Sequence, residues 1–227
     1  MNNIPTFLKW AGGKRRIIRE LSSHFPKKID RYFEPFLGGG SVFFHVKQVY
    51  NPEFCMISDI NLDLIDTYKA VRDQPEELIK HLIKFKKNHC KKFYYKIRNK
   101  FNENNFDGIK RCASFIYLNK TCFNGLYRVN YKNKFNVPFG KYNNPEIFNE
   151  FTIYFASRLL QNIKILCQDY REITRHVRKD DFVYLDPCYD PIKKTSFANY
   201  TPNRFSEEDR IKLAKFIRIL RSKHAKI

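Results

Sequence analysis

Val183-Tyr184-Leu185-Asp186-Pro187-Cys188-Tyr189 decides how this chain is read. Residues 182–185 form a short apolar run of the kind that makes a buried strand, and the run stops at Asp-Pro. Pro187 has no N–H to give to a ladder and turns the backbone away, which leaves Asp186 at the strand's carboxyl end. In an open α/β sheet that end is where ligands bind. A carboxylate, a fixed turn and an aromatic ring projected together suit a flat base bearing an exocyclic amine. The same residues also suit a carboxylate that merely caps a strand turn, so the choice falls to the remainder of the chain.

Two upstream segments repeat the pattern of a turn feeding a helix. Trp10-Ala11-Gly12-Gly13-Lys14 marks a tight turn, after which Ile17, Ile18 and Leu21 recur at helical spacing until Pro26. Backbone N–H groups and Lys14 there could hold an anion or a cofactor, although the GxxxxGK spacing of a Walker loop is absent. Trp10 reads equally as a core anchor or as a stacking wall. Next, Tyr32-Phe33-Glu34-Pro35-Phe36-Leu37-Gly38-Gly39-Gly40-Ser41 reads as strand, glycine turn and helix start. Phe43 stands where a third fingerprint glycine would fall, so a dinucleotide pyrophosphate suits the turn poorly. A second strand over 54–57 runs on to Asp59, which lies 21 residues past Gly38. That is close to the separation at which such folds place an acid on a ribose diol. The alternative is that Asp59 or Asn61 caps the helix over 62–72. A nucleoside-bearing cofactor without a central pyrophosphate follows, and S-adenosylmethionine is the candidate.

The net charge of +20 and pI near 9.7 favour a polyanionic partner, nucleic acid first. A Lys-, Asn- and Phe-rich coding bias would raise the charge too. The chain has no membrane-length apolar run, and its first residues lack the regions of a signal peptide, so a cytoplasmic protein is expected. Six scattered cysteines without a CxxC pair argue for reduced thiols and against a zinc site, and no metal is expected.

Between residues 75 and 160 the pattern becomes helical. Pro75-Glu76-Glu77 reads as a helix start, and a further helix covers about 109–120. Residues 84–100 carry eight Lys or Arg and no acid, interleaved with aromatics, which suits either a phosphate-facing surface or a solvated helix face. Residues 118–142 alternate apolar and polar about a polar turn and read as a basic β-hairpin, with Arg128 suited to a guanine edge. A helix over 145–160, a strand over 163–167, a short helix after Asp169 and the Asp186 strand follow. Beyond them come a polar, aromatic loop at 195–200, a helix beginning at Ser206 and the start of a strand at 225–227.

In this order, FLKWAGGK, FEPFLGGGSVFF, SDINLDLI, FNGLYRVN, FNVPFGKY and the Asp-Pro-x-Tyr turn followed by TSFANYT resemble the Dam-type adenine-specific DNA methyltransferases, including the modification enzymes for GATC sites. The resemblance spans nearly the whole chain. It implies a doubly wound α/β fold binding S-adenosylmethionine, with residues 1–61 and 152–227 as the catalytic part. Residues 62–151 would be an inserted helical DNA-recognition domain carrying the β-hairpin. Carried over by position, Trp10, Lys14, Gly38, Gly39, Gly40, Asp59 and Asp186 would surround the cofactor. Lys9, Phe123, Asn124, Leu126, Arg128 and Pro138 would touch double-stranded DNA at the recognition sequence. Asp186, Pro187 and Tyr189 would act on a flipped adenine, the first two accepting the N6 hydrogens and the third stacking on the ring. The resemblance leaves a cognate restriction endonuclease and the oligomeric state open.

Two departures stand out. The family's turn reads Asp-Pro-Pro-Tyr, and here Cys188 replaces the second proline, from which lower activity is expected. Relatives also continue for several more strands and a helix. An Asp186 strand at an open sheet edge is therefore expected, with Phe182, Val183 and Leu185 poorly covered. A truncated, non-catalytic remnant that still binds DNA or cofactor is the rival reading. A nicotinamide oxidoreductase is disfavoured by the broken glycine pattern and the Asp-Pro turn.

Overall fold

A computed structural model describes residues 4–187 and 207–227. Its centre is a four-stranded, wholly parallel sheet of β1 (Arg31–Glu34), β2 (Phe54–Asp59), β3 (Lys164–Cys167) and β4 (Phe182–Val183), in the order β3-β2-β1-β4. Growth of the sheet reverses at β1, with β2 and β3 on one side and β4 on the other. The carboxyl ends of β1 and β4 therefore flank a topological switch point.

The pleat sends alternate residues to opposite faces. Tyr32, Cys55, Ile57 and Phe182 belong to the main apolar core, whereas Phe33, Met56 and Val183 meet a second, smaller cluster. On the main side pack α1 (Ile18–Ser22), α2 (Ser41–Val49) and α3 (Leu62–Asp73). That core continues without a break into α4 (Pro75–Lys87), α5 (Lys91–Asn102), α6 (Gly108–Thr121) and α7 (Glu150–Leu159). The second face is covered by the 3-10 turn Tyr170–Arg175 and by α8 (Glu207–Ser222), through Ile173, Val177, Phe216 and Leu220.

Local chemistry sets the boundaries. Asn61 Oδ1 accepts from Leu64 N–H at 3.1 Å and caps α3, and Pro75 opens α4 with Glu76 and Glu77 in its first turn. From Cys112 to Asn119 every residue of α6 is buried, Ser114 and Asn119 with the apolar ones, so this helix runs through the interior. In the basic stretch, Phe85 and Tyr94 face inward while Lys84, Lys86, Lys87, Lys91, Lys92, Lys96 and Lys100 remain exposed. Among the described residues no helix is long and apolar enough to cross a membrane.

Three expectations need correction. The hairpin over 118–142 is reduced to isolated antiparallel bridges, Cys122 to Phe139 and Val129 to Phe135. Backbone bonds still cross the segment, from Phe123 N–H to Pro138 O, Gly140 N–H to Thr121 O, Asn136 N–H to Arg128 O and Asn130 N–H to Lys134 O, and side chains supplement them. Asn102 donates to Phe135 O at 2.9 Å and accepts from Phe135 N–H at 2.8 Å, and Asn130 Oδ1 accepts from the N–H groups of Lys132 and Lys134. The helix expected from residue 145 begins instead at Glu150, because Asn149 caps it by accepting from Thr152 N–H at 3.0 Å. Nor are Phe182 and Val183 poorly covered. They are 5% and 0% exposed, and Val183 N–H donates to Lys226 O at 2.8 Å on the side away from β1. Leu185 is half-buried against the second cluster. Cys188, the 195–200 loop and Ser206 lie outside the described residues.

Candidate active site

β1, β2 and the β4 segment each deliver a carboxylate to the same edge of the sheet. Glu34 is the last residue of β1, Asp59 is the last of β2, and Asp186 follows β4 by three residues. Asp59 and Asp186, at the ends of β2 and the β4 segment on either side of Glu34, give a chain of net charge +20 a local acidic edge suited to a cationic group.

Lys14 Nζ contacts Asp186 Oδ2 and also donates to Gly12 O at 2.8 Å. The turn at Gly12 and Gly13 thus carries a cation to the Asp-Pro corner and holds the carboxylate in place. Pro187 is half-buried beside it, and Tyr189 lies outside the described residues.

The glycine loop is shaped by neighbouring side chains as much as by its own backbone. Gly38 and Gly40 have φ of +49° and +65°. A Cβ at Gly38 would stand 2.7 Å from Trp10 Cδ1, and one at Gly40 would stand 2.5 Å from Tyr68 Oη. Both glycines are therefore required by packing before any ligand is considered. Asp59 ties the loop to β2, its Oδ2 accepting from Gly38 N–H at 3.1 Å and its Oδ1 from Asn61 N–H at 3.0 Å. Burial raises the Asp59 carboxyl above its ordinary range, and these N–H donors oppose the rise. The cap of α3 is Asn61 and not Asp59, whose carboxylate keeps lone pairs beyond the two used here. Ile60 and Leu62 beside it are large apolar residues left 62% and 59% exposed, an apolar ledge next to an acid.

Trp10 is half-buried and stacks on Tyr127 at 5.6 Å with an interplanar angle of 16°. Tyr127 belongs to the same loop as the DNA-side residues expected from the sequence. In that loop Phe123 is 51% exposed, its N–H donating to Pro138 O at 2.9 Å, and Asn124 has φ of +55°. Leu126 is half-buried, Pro138 is exposed, and Arg128 Nε donates to Asn136 Oδ1 at 2.7 Å. Lys9 lies across Gly125 with its ammonium 4.3 Å from the centre of the Tyr142 ring. Two groups of site residues thus form, one at the strand ends and one on the 122–140 loop, joined at Lys9 and Trp10.

Comparison with known proteins decides what this geometry belongs to. The family described as "D12 class N6 adenine-specific DNA methyltransferase" matches residues 10–227. The chain belongs to this family. D12-class enzymes methylate N6 of adenine in DNA, so DNA is the substrate and a methyl donor the second reactant. Similar proteins include the type II methyltransferase M.MjaIII of Methanocaldococcus jannaschii, 46% identical over 239 residues, covering 99% of this chain and 83% of that protein. The type II methyltransferase M1.LlaDCHI of Lactococcus lactis is 38% identical, covering 97% and 78%. The DNA adenine methylase of Escherichia coli K12 is 34% identical, covering 99% and 79%.

Glu34 is a buried acid at this sheet edge that the sequence reading passed over. It is 3% exposed, accepts from Tyr32 Oη at 2.7 Å and is pushed up to about 8, chiefly by burial. The Tyr32 hydroxyl, the Phe43 N–H and Lys14 oppose that rise, and Asp186 adds to it. Its signal was present: Glu34-Pro35 ends β1 as Asp186-Pro187 ends the β4 segment. A folded-state value above the ordinary 4.5 means that the folded chain holds a proton the unfolded chain releases. Stability from this group is then complete below about 4.5 and declines as pH rises towards 8. The Glu34→Gln variant is expected to lack that decline. Urea-unfolding curves of the two proteins, measured from pH 4.5 to 8, should therefore diverge by an amount on the order of a few kcal/mol. Parallel curves would refute it.

Proposed function

We propose that this enzyme transfers a methyl group from S-adenosylmethionine to N6 of an adenine flipped out of duplex DNA, within GATC. The observation that carries this reading is the Lys14–Asp186 contact at the β1/β4 switch point, with Glu34 and Asp59 at the neighbouring strand ends.

The residues present suit the cofactor. The ledge of Ile60 and Leu62 beside Asp59 matches an adenosine, and the Asp59 and Asp186 carboxylates match the cationic end of the molecule. Trp10, Lys14, Gly38, Gly39, Gly40, Asp59 and Asp186 would hold it. When bound, S-adenosylmethionine supplies an activated methyl group on a sulfonium.

The remaining work is positional. The N6 amine of adenine is a poor nucleophile because its lone pair is delocalised into the ring. Asp186 accepts one N6 hydrogen and the Pro187 carbonyl the other, which drives the nitrogen towards a tetrahedral shape and frees the lone pair. Tyr189 stacks on the flipped base. Lys14 steadies the carboxylate that does the aiming, and preorganisation and electrostatics make up the protein's contribution. Residues 62–151 serve as the recognition insertion. Lys9, Phe123, Asn124, Leu126, Arg128 and Pro138 meet the target, Arg128 on a guanine edge and Phe123 as an aromatic wedge. GATC follows the resemblance of the whole set of segments to the modification enzymes for GATC sites. A cytoplasmic location and a partner restriction endonuclease belong to the same reading.

The test uses purified chain, radiolabelled S-adenosylmethionine and two duplexes, one with GATC and one scrambled. Label on N6 of adenine in the GATC duplex alone is expected. Equal labelling of both duplexes would overturn the site, and binding of cofactor and duplex without transfer would favour a non-catalytic remnant.

A further inference from the structure

We propose that Asn119 couples target recognition to the cofactor loop by locking the Lys9–Trp10 dipeptide between them. This rests on the reading of the two residue groups given under Proposed function.

Asn119 lies near the end of α6, is 1% exposed and has every amide hydrogen engaged. Its Oδ1 accepts from Lys9 N–H at 2.8 Å, and its Nδ2 donates to Lys9 O at 2.8 Å and to Gly125 O at 3.3 Å. The side-chain amide thus pairs with both backbone groups of a residue 110 positions away, as a neighbouring strand would, and with the recognition loop as well. Fixing both backbone groups of residue 9 fixes the direction of its side chain and the position of residue 10.

Each of those residues then meets a different partner. The Lys9 stem packs on Gly125, where an added Cβ would stand 2.7 Å from Lys9 Cβ. Trp10 stacks on Tyr127 of the recognition loop, and its indole crowds Gly38 and Gly39. The Trp10 carbonyl accepts from Gly13 N–H at 3.2 Å, at the start of the turn that carries Lys14 to Asp186. A shift of residues 123–127 on meeting DNA is therefore passed through one buried amide to the indole, the glycine loop and the Lys14 turn. Contiguity of packing permits such coupling, and a coupling measurement establishes it.

Trp10 is the only tryptophan in the chain, so its emission reports on the dipeptide directly. Titrations would measure the dissociation constant of S-adenosylhomocysteine, the demethylated product, with and without a GATC duplex, with a scrambled duplex as control. Coupling within the usual range of roughly 5–150-fold is expected in the wild type, and linkage requires the same factor on duplex affinity. In Asn119→Ala, each ligand should still bind alone while the coupling falls below about twofold. Lys9→Ala keeps the backbone bonds but removes the stem from Gly125 and the ammonium from Tyr142 and the target. It should therefore weaken duplex binding and, with duplex held at saturation, reduce the coupling read as the ratio of S-adenosylhomocysteine affinities. This variant serves as the reading if Asn119→Ala fails to fold. Unchanged coupling in a folded Asn119→Ala protein, or in Lys9→Ala when that variant is the reading, overturns the proposal. Wild-type binding of both ligands without coupling overturns it too, yet leaves the functional reading standing. Failure of the wild type to bind either ligand would overturn both.

Discussion

Asp186→Asn is expected to slow single-turnover methyl transfer by about 10²–10³-fold, the loss usual when one preorganised electrostatic group is removed. The substitution keeps the size of the side chain but removes the charge, leaving one carbonyl oxygen to accept where two carboxylate oxygens stood. Lys14 would then face a neutral amide, and the aim of the side chain would loosen. Because the effect falls on the reacting nitrogen, affinity for the duplex should change far less than the rate. Rapid-quench measurement with labelled S-adenosylmethionine separates the two. Retention of more than about a tenth of the wild-type rate would remove Asp186 from the reacting centre. Lys14→Ala should give a smaller loss in the same assay, since it disturbs the carboxylate without deleting it.

The second large effect is on stability. Gly40→Ala is expected to cost about 2–5 kcal/mol, combining left-handed backbone strain with overpacking. Gly40 has φ of +65°, and its added Cβ would stand 2.5 Å from Tyr68 Oη and 3.3 Å from Tyr68 Cζ. In a chain of this length that corresponds to a fall in melting temperature of roughly 5–15 °C. Tyr68→Phe alone should cost only about 1 kcal/mol, for the hydrogen bond that Tyr68 Oη donates to Gly38 O at 3.2 Å. Added to Gly40→Ala, it should restore part of the loss, because the hydroxyl is the nearest obstacle. Calorimetric scans of the four proteins would show that non-additivity, and a wild-type melting temperature for Gly40→Ala would disprove the account.

How far the sequence could be read depended on where the backbone found its partners. The β1–glycine–α2 and β2–Asn61–α3 units were legible because strand runs, glycine turns and an Asx cap each leave a local signature. The 118–142 segment does pair antiparallel, but only through isolated bridges, and part of its backbone bonding goes to Asn102, which lies outside it. No local pattern announces that a helix side chain will pair with Phe135. Lys226 closing over Val183 is likewise a non-local contact. At the site, the Asp-Pro corner and the glycine loop were legible, whereas Glu34 was hidden in a motif read only for its glycines. The role of Lys9 and Trp10 as a joint was illegible for the same reason: Asn119 sits 110 residues away.

The unbroken core that runs from the sheet into α4, α5 and α6 bears on how such an enzyme can change its target sequence over time. Tyr127, Phe135, Cys122 and Val137 in the recognition loop are buried in the same core as Tyr32 and Phe182 of the sheet. Substitution there disturbs the packing on which the sheet also rests, so changes to the interior of the loop are expected to cost stability. Its outer skin, Phe123, Asn124, Tyr131, Lys132, Lys134 and Pro138, is exposed and can be exchanged without opening the core. New specificities would arise there by exchanging side chains on a constant scaffold, rather than by swapping the loop as a module.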